Sequence, residues 1–145
     1  MAAKVTFSIL LENHEGPIGD DWKYWVEAKV FNQGLKAAGT IEVPKHSLPT
    51  GTTQEPPGPP APLELAAGEC GQRVKVKLTL EATEVDLFTS EVGKTDIDTY
   101  FDCPAMGEEP LVRDGEISVG VVESPGISGE TSIITLKFRL VVACS

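Results

Sequence analysis

Basic residues, cysteine, histidine and long apolar runs are all scarce in this chain. Its 145 residues carry 12 Lys and Arg against 22 Asp and Glu, a net charge of −10. A nucleic-acid surface needs clustered cations to displace counterions from phosphate, so nucleic acid is excluded as an expected partner. No apolar run approaches the roughly 20 residues of a membrane-spanning helix. The opening "MAAKVTFSILLEN" alternates apolar with polar residues and has no small-residue cleavage site. It therefore reads as a first strand, and the chain is expected in the cytoplasm or exported without a conventional signal peptide.

Cysteine is limited to Cys70, Cys103 and Cys144. An odd count without repeated spacing gives neither a disulfide framework nor a zinc site. One bridge with a thiol left over is the alternative; three reduced, partly buried thiols are the expectation. Catalytic signatures are missing as well. There is no glycine loop for phosphate, no nucleophile elbow and no HExxH, and the expectation is a protein without enzymatic activity. His14 and His46 lie far apart, each beside a proline-containing loop, and are expected to be solvated.

What the sequence does have is alternation with period two. "KVTFSILLE" places Val5, Phe7, Ile9 and Leu11 on one side. "DWKYWVEAKVFNQG" alternates Tyr24, Val26, Ala28 and Val30 with Lys23, Trp25, Glu27 and Lys29, then turns at Asn32-Gln33-Gly34 into "GTIEVP". "RVKVKLTLEATEV" sends Val74, Val76, Leu78 and Leu80 inward. "TSIITLKFRLVVA" does the same with Ile134, Leu136, Phe138, Leu140 and Val142. "KTDIDTYF" and "GEISVGVVES" read as further strands, and "PLELAAGE", interrupted by Gly68, as a weaker one. No segment holds a 3.6-residue period for ten residues or more. The expected fold is all-β, a single-domain antiparallel sandwich of about eight strands over residues 1–145.

One stretch breaks the pattern. "VPKHSLPTGTTQEPPGPPAPLE" holds most of the prolines, and proline cannot donate to a ladder. Residues 44–62 are expected to form a long, partly polyproline-like surface loop, with no regular element over 46–61.

Two acidic stretches carry the chemistry. "LENHEGPIGDDWKYW" supplies Glu12, Asn13, Glu15, Asp20 and Asp21 between flexible glycines. "EATEVDLFTSEVG" brings Glu84, Asp86 and Glu91 to a strand end. Carboxylates gathered in one small volume repel unless water screens them or a cation neutralises them. Calcium takes six to eight oxygens, commonly from loop carboxylates, backbone carbonyls and water, and converging loops at one end of a sandwich provide these. A solvated acidic turn explains the same residues without a ligand. Asp96 and Asp98 share one strand face, where they extend such a site or block edge pairing.

"TEVDLFTSEVGKTDI" resembles the third ligand loop of synaptotagmin-like C-two domains, in which a strand ends in Asp-x-Asp and a later Asp precedes a glycine. Glu84 and Asp86 take the first pair of places, Glu91 the later one and Gly93 the glycine. "GPIGDDWKYWVEAKV" is similar to that family's first-loop exit, with Asp21 at the aspartate and Tyr24 or Trp22 at the aromatic. Glu replaces Asp at two of these places, the turn is about one residue shorter, and the Asp-Pro-Tyr core is missing; the likeness spans about a quarter of the chain. The resemblance implies a C-two-like sandwich that binds calcium at one tip to engage anionic lipid or a protein partner. The expected metal set is Asp20, Asp21, Glu84, Asp86 and Glu91. Arg73, Lys75 and Lys77 resemble that family's lipid-binding basic strand, and outward Trp25 and Phe31 suggest a covered surface, whether by a partner or by self-association. The alternative is a metal-independent structural or interaction subunit of a larger assembly.

Overall fold

The computed structural model describes residues 1–86, 90–123 and 130–145. It is a sandwich of two antiparallel sheets built from nine strands: β1 (Ala2–Glu15), β2 (Asp21–Phe31), β3 (Leu35–Ser47), β4 (Thr52–Gln54), β5 (Leu63–Glu69), β6 (Arg73–Val85), β7 (Ser90–Asp102), β8 (Leu111–Val122) and β9 (Thr131–Cys144). One sheet runs β4-β1-β9-β8, with β5 pairing the same edge of β1 as β4; the other runs β3-β2-β6-β7. Among the described residues, no helix is long and apolar enough to cross a membrane.

The alternation explains the core. Val74, Val76, Leu78 and Leu80 from β6 meet Ile134, Leu136, Phe138 and Leu140 from β9 across the two sheets, and all eight are buried. Glycine closes one side of the sandwich. A Cβ on Gly93 of β7 would run into the main chain of β8 at Gly120, so the two strands approach backbone to backbone there.

Four expectations need correction. The register of β1 slips between Ile9 and Leu11, a β-bulge that inverts which residues face inward. Leu11 is therefore half-exposed, and Glu12 and His14 enter the interior instead. Residues 44–62 are not wholly irregular: β3 continues to Ser47, pairing His46 with Trp22, and Thr52–Gln54 pairs with His14–Glu12 of β1. Pro44 is tolerated because β3 is an edge strand whose register shifts there. Neither histidine is simply solvated. Cys70 and Cys144 form a disulfide and Cys103 is a buried free thiol, because the turn after β5 and the end of β9 come together beside the N-terminus. Of the strand and loop expectations, the turn 87–89 and the end of "GEISVGVVES" at Ser124 lie outside the described residues.

Candidate cation site at the open end of the sandwich

At the end of the sandwich away from the disulfide, several inward positions turn polar, while Trp22 of β2 stays apolar and buried among them. Beyond its bulge β1 offers Glu12 and His14, β9 opens with Ser132, and β6 runs from Leu80 through Ala82 to Glu84. β7 begins with Ser90 and the inward Glu91. These residues form two layers with opposite electrostatics.

The inner layer is fully satisfied. His14 is completely buried. Its Nδ1 faces only the Leu48 carbonyl at 2.8 Å, so Nδ1–H donates there and Nε2 accepts from the Ser132 hydroxyl at 3.0 Å. Ser132 Oγ in turn accepts the Ile18 N–H at 2.9 Å. A Ser–His pair is a nucleophile arrangement in other contexts. Here the oxygen is fully buried and held by Ile18, and the pair instead fastens three chain segments together. Glu12 accepts from the Tyr24 hydroxyl at 2.7 Å, from His46 Nε2 at 2.7 Å and from Gln54 Nε2 at 2.8 Å. The other His46 nitrogen faces the Pro44 carbonyl at 2.8 Å. Both ring nitrogens thus meet oxygen partners. Burial first, then the adjacent Glu12, pushes the Tyr24 phenol well above its ordinary range.

This layer fixes the loop between β1 and β2. Leu48 N–H donates to the Asp20 carbonyl at 2.7 Å, Gly16 N–H to Thr50 Oγ1 at 3.0 Å, and Gly51 N–H to the His14 carbonyl at 2.7 Å. Gly19 has a φ of +50°, and a side chain on it would strike the Glu84 carboxylate. Only glycine both adopts that conformation readily and leaves room for the acid.

The outer layer is acidic. Glu84 and Glu91 stand directly opposite each other in the β6–β7 ladder, inward and nearly buried, with their side chains hydrogen-bonded. Two carboxyl groups in such contact share a proton more readily than they both ionise. Burial, then the Glu91 contact, then the charges of Asp86 and Asp21 raise the Glu84 carboxyl from 4.5 to about 7. The pair borders a cavity of about 160 Å³ lined by Pro17, Ile18, Gly19, Asp86, Glu123 and Glu130 as well. A neighbouring recess of about 430 Å³ is lined by Asp20, Asp21, Lys45, Glu84 and Asp86.

All five carboxylates expected from the sequence therefore gather at this end. Glu84, Asp86 and Glu91 border one cavity, and Asp20 and Asp21 join Glu84 and Asp86 round the next. Glu12 does not belong to them, since its oxygens are engaged inside. Sequence reasoning missed Glu123 and Glu130. The available signal was two acids flanking a Ser-Pro-Gly segment between alternating strands, which places both at the same end. Among the described residues, no three His, Cys, Asp or Glu side chains are grouped so as to hold a metal ion.

The expected partner surface lies elsewhere, on the outer face of the β3-β2-β6-β7 sheet. Trp25 and Phe31 are half-buried, with Lys94 Nζ 5.4 Å from the Trp25 ring centre and Lys75 Nζ 4.6 Å from that of Phe31. Arg73 pairs with Asp102 at 3.2 Å and lies over Tyr100, while Lys77 sits opposite Asp98. Arg73 and Lys77 each stand opposite an acid, whereas Lys75 lies between Phe31 and Tyr100. No protein-family model matches the chain, and no curated protein matches it either.

Proposed function

We propose that the chain is a non-enzymatic, calcium-binding β-sandwich module that engages a protein partner through its acidic end. The observation that carries this reading is the Glu84–Glu91 contact at the mouth of a cavity that Asp86, Glu123 and Glu130 also line. A proton relieves that repulsion partly; a divalent cation does so more completely and draws the surrounding carboxylates into its shell. The C-two-like segments quoted above support the same reading. So does the Cys70–Cys144 bridge, which suits an oxidising compartment outside the cytoplasm, where weak calcium modules meet millimolar ion. Asp102 opposite Arg73 and Asp98 opposite Lys77 offset two of the three cations of that strand, which favours a protein partner over anionic lipid.

Thermal unfolding in excess calcium and in chelator tests this. A ligand at a hundred times its dissociation constant stabilises the native state by about 2.7 kcal/mol, on the order of 5–10 °C for a domain of this size. Asp86→Asn should abolish the shift while leaving the metal-free protein at least as stable. A wild-type melting temperature indifferent to millimolar calcium would return the module to the metal-independent alternative.

A further inference from the structure

The outer face of the β3-β2-β6-β7 sheet holds a second recess, of about 430 Å³, distinct from the acidic end. Trp25 lies at the centre of a cross-strand row, with Glu42 of β3 on one side, Glu81 of β6 on the other, and Lys94 of β7 beyond Glu81. Lys23, Thr83 and Pro44 complete the wall. Pro44 stands where the β2–β3 register shifts.

Polar groups on the other sheet are spent on each other: Arg139 clasps Asp114 through two hydrogen bonds, and Lys137 approaches Glu116. Round Trp25 the reverse holds. Among the described residues, the side chains of Lys23, Glu42, Glu81 and Thr83 and the indole N–H make no hydrogen bond or ion pair; the contact recorded there is Lys94 against the ring. The recess therefore presents an apolar indole surface ringed by unused donors and acceptors. Glu42, Glu81 and the single ammonium of Lys23 line the recess, and Lys94 over the ring supplies the second ammonium, so with Lys94 the charges cancel and the rim favours neither a cation nor an anion.

We propose that this recess binds a neutral carbohydrate, one sugar ring lying flat on Trp25. A pyranose has an apolar face of C–H groups and a rim of hydroxyls, each both donor and acceptor. The first matches the indole plane and the second the mixed set of Lys23, Glu42, Glu81 and Thr83. Lys94 swings off the ring to make room, its flexible stem allowing it to donate to a hydroxyl instead. The site is independent of any cation at the acidic end.

Tryptophan fluorescence reads the site directly. The chain has two tryptophans, and Trp22 is completely buried, so a saturable change on titration reports Trp25. The titrants are soluble hexasaccharides of beta-linked glucose, N-acetylglucosamine, xylose and mannose and of alpha-linked glucose, each raised to about 10 mM in chelator. At least one should give a saturable change. Its affinity should fall about 10-fold or more in Glu81→Gln and vanish in Trp25→Ala by calorimetry, while Phe31→Ala leaves it unchanged. Trp25 is on the outer face, so Trp25→Ala should keep its far-ultraviolet spectrum and cooperative melting; if it unfolds, the Glu81→Gln result decides. Silence with all five sugars overturns the proposal. So does retained affinity in Glu81→Gln, or a response to pentalysine without any sugar response, which would make the recess a cation site.

Discussion

Glu12 and Glu84 are the same residue on inward positions of two long strands, exposed to 0% and 5% respectively, and their surroundings differ in every other respect. Glu12 meets a phenol, an imidazole and a carboxamide, all donating. Glu84 meets another carboxyl and, close by, the charges of Asp86 and Asp21. Burial of an acid thus says little about its role; the signs of its neighbours decide. A carboxylate given donors for both oxygens cements the fold and has nothing left for a ligand. A carboxylate set among other carboxylates is driven toward its protonated form.

The comparison breaks most visibly at Glu12. Removing the acceptor in Glu12→Ala strands the Tyr24 hydroxyl and the His46 ring in the interior. The loss should be about 3–5 kcal/mol, read as a lower denaturation midpoint at unchanged slope. An effect below 1 kcal/mol would show that water or repacking replaces the network.

Glu84 should respond in the opposite direction. Its folded carboxyl holds a proton up to about pH 7, whereas the unfolded chain releases it near 4.5. Between those values the folded state binds more protons, so stability should fall as pH rises through the interval and level off above it. Water at the mouth screens part of the effect, leaving a fall on the order of 1–2 kcal/mol. Glu84→Gln should remove this contribution and make the metal-free protein more stable on the alkaline plateau. If its midpoint drops at all pH values, Glu84 is cemented in the manner of Glu12 and the contrast is void.

The smallest effect belongs to Glu130, which is exposed. Glu130→Gln should change metal-free stability by less than about 0.5 kcal/mol. On the cation reading it should still reduce the calcium-dependent rise in melting temperature, which separates ligand from scaffold within one cavity. An undiminished rise would remove Glu130 from the ligand set.

How much of this was legible depends on whether a residue obeys the alternation. The eight core residues of β6 and β9 follow it without interruption, and all are buried. Glu84 obeys it too: four residues past Leu80 the same parity still points inward, so its burial was readable from "LTLEATE". Glu12 was not readable, because an unannounced bulge after Ile9 exchanges the two faces of β1. Nothing local in "SILLEN" marks that slip. The bulge is fixed by donors that arrive from Tyr24, His46 and Gln54, 12, 34 and 42 residues away. The Cys70–Cys144 pairing escaped for a similar reason, as a 74-residue separation leaves no trace in spacing. Gathering the five expected carboxylates needed only the order of the strands, since each lies beside a turn at the same end.

Ala2 and Ser145 exchange a pair of main-chain hydrogen bonds, Ala2 N–H to Ser145 O and Ser145 N–H to Ala2 O, both 3.1 Å. Tension applied at the two termini therefore loads the antiparallel β1–β9 ladder from one end. The hydrogen bonds are then taken one after another, as a zipper opens, rather than together in shear. The Cys70–Cys144 bond sits one residue behind that opening end and arrests it. Beyond the bridge the load passes to Cys70 and the strand that pairs with Ala2 and its neighbours. With the bridge closed, the chain from Cys70 to Cys144 is shielded from a pull on the termini. That stretch contains β6, β7, β8 and β9, and with them Glu84, Glu91, Glu123 and Glu130.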